Sequence, residues 1–556
     1  MRKKHMLSLL FAVLGVALLI ATAMVGVASS ATSKHPTKVS LSKAHKGGVL
    51  RINQSGTDFD TVDPGLAYVT NDWAMLYTTQ MLLVNFPEKN GEAGSVLFPE
   101  AATSFPTVSK DGKTYTFHIR PGLKFSDGSP VTAAAYQRAW ERNLSPKMGS
   151  PYGVNDQFQK VVVGGEDFLA GKSQHISGIT AKGLTLTFHL TKPNPTFVSY
   201  LSMQWFGAVK PTMPYTTTGE NVYPSAGPYY IASRDPGKTT VLKRNPYYKG
   251  SRPANPDQMV FTSNTDPDQS LLQTKAGQTD LDMSGVPSTA AASLGTPSAT
   301  KGQYHVGPTS CVIYFLLNAA RPPTSSLAVR KALNYGIDRP AVLRLLGKYA
   351  GQRTDQVLVP GIPGYKPYKI YAFAGANVAK AKAVGGSALS NAGSLNVIHS
   401  TTPTSVAVAQ QLEFNLKQLG LKYNDVPTPG TVYYNTLETK GTSYNIARAG
   451  WCADYFDPFD YINVLLDGRS IQANNNTDMS YISAPKLNKQ MDAAASLSGK
   501  ARANAYAKLD LTVMRDYAPW VPYEIANDRF YTSKRVSNWI YSTYFGEPDF
   551  NALTVG

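Results

Sequence analysis

The sequence predicts an α/β protein of two or three lobes. Three observations carry that expectation. The chain has 556 residues, more than a single hydrophobic core sustains. From Cys311 to Ala447 apolar strands alternate with amphipathic helices, the pattern of a helix-covered sheet. Before Cys311, short alternating strands are separated by Gly, Pro and Asp turns, a mixed segment of different texture.

The N-terminus reads as an export signal. Arg2, Lys3, Lys4 and His5 precede an apolar run over 6–28. Small residues follow, Ala28-Ser-Ser-Ala31, the arrangement of a cleavage site. The run is also nearly long enough to span a bilayer (~20 residues). Residues 1–31 are therefore either a cleaved signal or an uncleaved anchor. No cysteine lies near the end of the run, so it is not a lipoprotein signal. Residues 32–46, rich in Ser, Thr, Lys and Pro, read as a flexible tether. Either reading places the rest of the chain outside the cytoplasm.

The formal charge is +17. Arg2, Lys3, Lys4, Lys34, Lys38, Lys43 and Lys46 supply seven of those charges within residues 1–46, which hold no acid. The remainder is spread without a dense Lys/Arg block, which argues against nucleic-acid binding. The 32 tyrosines suit a protein that binds ligands, and equally a loop-rich fold with many half-buried tyrosines.

The folded part is expected to start at Gly47-Gly48 with a short strand. Asp60 to Gly65 is a turn, and Asn71 to Leu83 a helix with Trp73, Leu76, Tyr77 and Met81 on one side. Tyr115 to Pro121 alternates as a strand. Phe125 to Pro130 turns, and a helix opens at Ala133 with Thr132 as its cap. Leu184 to Leu190 is a second alternating strand, and Tyr229 and Val241 lie in two more. A short helix covers Leu271 to Ala276. Cys311 to Asn318 is a buried strand, followed by helices over Leu327 to Tyr335 and Pro340 to Leu346 and a strand from Ser394. Val406, Ala409, Leu412, Leu416 and Leu419 form a helical stripe stopped by Gly420. Residues 502–516 form a last helix, and Trp520 begins a closing strand.

Enzyme signatures are missing. There is no G-x-S-x-G, no H-E-x-x-H and no C-x-x-C. Three of the eight histidines precede Gly47 and the other five are scattered singly. Acid pairs such as Asp280/Asp282 and Asp457/Asp460 are the kind that any long chain supplies. The expectation is a binding protein, not an enzyme, with no cofactor and no metal. Cys311 and Cys452 are the only cysteines. In an exported chain they favour one disulfide over two buried thiols.

The most informative stretch is Arg448-Ala449-Gly450-Trp451-Cys452-Ala453-Asp454-Tyr455, closed by Asp457-Pro458. It joins a cation, a glycine, a large aromatic, a cysteine and a carboxylate. That mixture suits a segment that is buried, pinned and turned toward something polar. The segment Tyr115 to Ala133, with Asp63-Pro64, Ser225 to Tyr229, Asn318 to Pro323 and Val329 to Arg339 in the same order, resembles the extracytoplasmic solute-binding proteins of peptide-importing ABC transporters (family 5). The 448–455 stretch resembles the oligopeptide binders among them, over a likeness running from Gly47 to the C-terminus.

The resemblance implies a periplasmic-binding-protein-like fold, type II, cluster C. This is a two-lobed Venus flytrap with an extra α/β domain. Lobe I would comprise 47–85, 205–310 and 523–556, the extra domain 86–204, and lobe III 311–522. It implies a peptide ligand, a membrane permease as partner, a monomer, and a Cys311–Cys452 bridge. Asp454 would hold the peptide α-ammonium, Trp451 wall a side-chain pocket, and Arg448 meet a peptide carboxylate or neutralise Asp454. Tyr68 and Val69 on one lobe, and Ala449, Gly450 and Trp451 on the other, would bond an extended peptide backbone by strand addition. Thr404 stands where some members carry a carboxylate-binding histidine, and Lys348 only loosely matches a family lysine, so peptide length stays open. Two other readings fit the same scaffold motifs. One is a non-peptide solute (sugar, opine or metal chelate), the other a peptide sensor without a permease.

Overall fold

The computed structural model describes residues 46–150, 160–298, 302–371 and 374–556. The expected signal or anchor, and the tether up to residue 45, lie outside the described residues. No helix among those described is long and apolar enough to cross a membrane.

Three main sheets organise the chain. The first has five strands in the order Leu281–Asp282, Val49–Ser55, Gln258–Thr265, Thr239–Arg244 and Tyr229–Asp235. Val49–Ser55 runs parallel to both neighbours, and the remaining pairs are antiparallel. The helix Thr70–Thr79 packs beside it, with every residue from Asn71 to Thr79 buried.

The second sheet, Thr107–Val108, Thr114–His118, Thr185–His189 and Ile179–Lys182, is antiparallel throughout. Its two central strands are the two similar alternating runs of the sequence. They pair in register, Thr114 with His189 and His118 with Thr185. Tyr115, Phe117, Leu186 and Phe188 face the buried side, while His118 and His189 are exposed. Gly128, at φ +84, closes the tight turn that follows, a conformation glycine adopts without cost.

The third sheet has six strands: Gly351–Gln352, Trp520–Tyr531, Tyr304–Leu317, Ile446–Cys452, Ser394–Ser400 and Lys422–Thr428. Its far side is the parallel, helix-covered part that the alternation predicts. Gly420, at φ +83, ends the Pro403–Gln418 helix as expected.

Two long strands tie the first and third sheets together. Val312 to Leu316 pairs with Trp520 to Ile525 inside the third sheet. The other halves, Tyr304 to Pro308 and Asn527 to Tyr531, continue toward the first, where Val286 N–H donates to Arg529 O at 2.7 Å. Pairing is interrupted between Pro308 and Val312. There the Thr309 hydroxyl donates to Ala526 O at 2.8 Å in place of a ladder bond. The expected lobe boundaries at 310/311 and 522/523 fall inside these two strands.

Several local expectations shift. The helix expected over Asn71 to Leu83 ends at Thr79, and Gln80 is extended. Thr79 O accepts from Gly227 N–H and Gln80 O from the Arg252 guanidinium, so tertiary partners end it. Thr132 stands at the cap position without a side-chain capping bond. The strand expected from Cys311 begins at Tyr304. The last helix begins at Gly499, and its final turn, Val513–Tyr517, is π-helical.

Candidate functional site

The 446–458 stretch is a strand, a turn and a helix start. Ile446–Cys452 runs antiparallel to Tyr304–Leu317, with Ala449 opposite Tyr314, Gly450 opposite Ile313, Trp451 opposite Val312 and Cys452 opposite Cys311. On its other edge the Ser394–Ser400 strand pairs only with Ile446 and Ala447. From Arg448 to Cys452 that edge is not part of the sheet ladder. The strand ends where Ala453 N–H turns to the Ser310 hydroxyl, at 3.2 Å. Asp457 then caps the Pro458–Leu466 helix, accepting from Phe459 N–H, with proline at the first helical position.

Asp454 lies in the turn between them and is held from three sides. Its N–H donates to Asp460 Oδ2 at 2.9 Å. Its carbonyl accepts from the Tyr544 hydroxyl at 2.5 Å. Its Oδ2 accepts from the Tyr68 hydroxyl at 3.4 Å, from a residue 386 positions away. Asp460 Oδ2 also takes the Trp451 indole N–H, at 3.1 Å. Asp460 is fully buried and Asp454 is 8% exposed. Burial and the adjacent Asp454 charge hold the Asp460 carboxyl well above the usual carboxylate range. Its Oδ1 has no hydrogen-bond partner. Two carboxylates thus share one small volume, an arrangement that a cation relieves.

Strand alternation sends Arg448 to the face opposite Trp451. Its Nε donates to the Tyr523 hydroxyl at 2.8 Å. Burial works against its charge, and Tyr523 and Glu524 more than compensate.

A cavity opens beside this turn. Val69, Thr70, Ser310, Cys311, Cys452 and Tyr544 contribute to its wall. The Cys311–Cys452 disulfide is formed and closes 141 residues of sequence. Replacing both cysteines by serine is expected to lower stability by about 2–4 kcal/mol, because the open loop gains freedom in the unfolded chain. A urea unfolding midpoint unchanged from that of the native protein would contradict this.

The fold therefore gathers Tyr68, Val69, Trp451, Cys311, Cys452 and Asp454 around one junction. Ala449 and Gly450 sit on the adjoining strand, and Arg448 is turned to Tyr523. Reading by residue type gave no role to Asp460, whose place six residues after Asp454 was the available signal. Tyr544 and Ser310 carry no sequence signal, since only the tertiary fold brings them here.

A family model for bacterial extracellular solute-binding proteins, family 5 (middle), matches residues 96–473. Oligopeptide-binding protein OppA of Bacillus subtilis is 28% identical over 399 residues, 68% of this chain and 71% of that protein. Periplasmic oligopeptide-binding protein OppA of Escherichia coli is 25% identical over 445 residues, 76% and 78% of the two chains. Among solved structures, clavulanic acid biosynthesis oligopeptide binding protein 2 superposes with a TM-score of 0.84 at 22% identity, covering 92% of this chain and 96% of its own. Haemophilus influenzae OppA in complex with the peptide RPPGFSPFR gives 0.70 at 22% identity, covering 92% and 100%. The periplasmic-binding-protein-like α/β fold is thereby shown.

Proposed function

The chain belongs to the bacterial extracellular solute-binding proteins of family 5, and we propose that it captures peptides between two lobes and delivers them to the membrane permease of an ABC importer. The observation that carries this reading is the Tyr68–Asp454 contact. Two segments far apart in sequence meet over a buried carboxylate with a second carboxylate behind it. A peptide α-ammonium desolvated there needs such a counter-charge, and hydrogen bonds to a charged acceptor are the strong ones.

The edge from Arg448 to Cys452 supports the rest of the reading. An extended peptide laid along it would satisfy its N–H and C=O groups whatever its side chains. Tyr68 and Val69 are assigned to the facing side. Trp451 is assigned to a side-chain wall and Arg448 to a distal contact reached after release from Tyr523. The closing lobes are taken as 47–85 with 205–310 and 523–556 against 311–522, with 86–204 as the extra domain. A ligand touching both sides stabilises the closed state by its differential affinity. The protein is placed outside the cytoplasmic membrane, as a monomer without catalytic activity.

Mass spectrometry of small molecules retained by gently purified protein tests this. Peptides with free amino termini are the expected cargo. Recovery of only sugars or metal chelates would overturn the peptide reading.

A further inference from the structure

The cavity beside Asp454 carries more negative charge than an α-ammonium at Asp454 uses. Its wall includes Asp58, Asp60, Asp528 and Glu547, and among the described residues no lysine, arginine or histidine lines it. Asp58 is already satisfied. Arg234 Nη2 lies 3.0 Å from its Oδ2, Gly237 N–H donates to the same oxygen at 2.7 Å, and the Ser263 hydroxyl donates to Oδ1 at 2.5 Å. Asp60 is exposed.

Asp528 and Glu547 differ from these two. Glu547 is 5% exposed, and its Oε2 has no hydrogen-bond partner. It is delivered by a short antiparallel pair, opposite Ser542. Asp528 comes from the long Trp520–Tyr531 strand. A Cβ at position 546 would stand 2.7 Å from Asp528 Oδ2, so glycine there, at φ +71, leaves the carboxylate its room. Arg529 is the next residue on the strand, but alternation turns it away, and its Nη1 donates to Lys348 O at 3.2 Å. Phe530 and Tyr544 supply aromatic wall.

The chemistry of this wall selects its occupant. Among the described residues no group of three or more His, Cys, Asp or Glu is placed to hold a metal ion. An organic cation fits better. A guanidinium is planar, always charged, offers forked donors to carboxylates and stacks on aromatic rings. We infer that this cavity is a subsite for an arginine side chain near the amino terminus of the bound peptide, gripped between Asp528 and Glu547.

The inference rests on the peptide reading and deepens it. Burial pushes the Asp528 carboxyl up to about 7 against the opposing pull of Arg529. Burial, then the charges of Asp528 and Asp282, push Glu547 well above the carboxylate range. A cation between them offsets that cost, as it does for any buried acid.

The test compares matched short peptides on the native protein by calorimetry. One series carries arginine, citrulline, lysine or glutamate at the second position behind a free amino terminus. The arginine peptide is expected to bind roughly 10- to 100-fold tighter than the citrulline peptide, the range for charged hydrogen bonds, with the glutamate peptide weakest. In the Asp528→Asn, Glu547→Gln double variant the arginine preference is expected to shrink to about threefold or less while citrulline binding persists. Equal affinity for arginine and citrulline peptides on the native protein would overturn the subsite and leave peptide capture standing. Failure of every peptide to bind would overturn both.

Discussion

Replacing Asp454 with asparagine is expected to weaken binding of a free-amino peptide by roughly 30- to 1000-fold, while an N-acetylated peptide of the same sequence changes by less than about threefold. The asymmetry follows from the site. The substitution is isosteric, and the Asp454 backbone contacts to Asp460 and Tyr544 do not involve the side chain, so the turn keeps its shape. An asparagine oxygen can still accept from the Tyr68 hydroxyl, but the negative charge that would meet an ammonium is gone, and a buried ammonium without a counter-charge is costly. Titration calorimetry with the two peptides reads this directly. Equal loss for both would make Asp454 a structural residue of the turn.

The second large effect concerns stability. Arg252→Met is expected to destabilise the protein by about 3–5 kcal/mol, the cost of leaving a buried charge without its partner. Arg252 has no exposed side-chain surface, and its Nε meets Glu100 Oε1 at 2.5 Å. Burial works against its charge, and the Glu100 carboxylate overcomes this and holds the guanidinium above its ordinary range. Its other nitrogens donate to Tyr77 O and Gln80 O, at the end of the helix that follows Tyr68 and Val69. Glu100 in turn accepts from Leu82 N–H and the Asn85 amide. Urea unfolding of Arg252→Met is expected to show a clearly lower midpoint, and adding Glu100→Gln to recover part of the loss. An unchanged midpoint would mean that the pair contributes nothing.

Much of this architecture was legible in the sequence, for reasons that can be named. The Leu327–Gly336, Arg339–Leu345 and Pro403–Gln418 helices announce themselves by apolar spacing, because each buries one face against the third sheet. The 448–458 stretch stood out by its mixture of residue types, although its two ends, a sheet strand and a proline-started helix, were not assigned from the sequence. The Tyr304–Pro308 half of a central strand carries Gly307 and Pro308, which weaken a strand pattern, and the expected strand began only at Cys311. Those residues pair with only one neighbouring strand, so proline is tolerated there. Asp460 was visible as an acid and invisible as a site residue. Its role depends on a helix turning it back toward Trp451 and Asp454, which no local pattern encodes. Asp528 reaches the cavity through the long-range pairing of its strand with Gly307, and Glu547 and Tyr544 through the short hairpin in which Ser542 stands opposite Glu547.

The interruption between Pro308 and Val312 sets the leverage of the molecule. Antiparallel ribbon resists stretching and sliding, since either breaks its ladder, and it yields by rotation where the ladder is missing. A pivot at this gap would fall beside Ser310, to which Asp454 is tied through Ala453 and the Cys311–Cys452 bond. On the proposed reading, an ammonium held at Asp454 would lie close to this gap, where a given rotation displaces atoms least. The far end of an extended ligand sits at the tip of the lever, where the same rotation displaces atoms most. Opening about this gap would then unfasten such a ligand from its far end first and its amino end last.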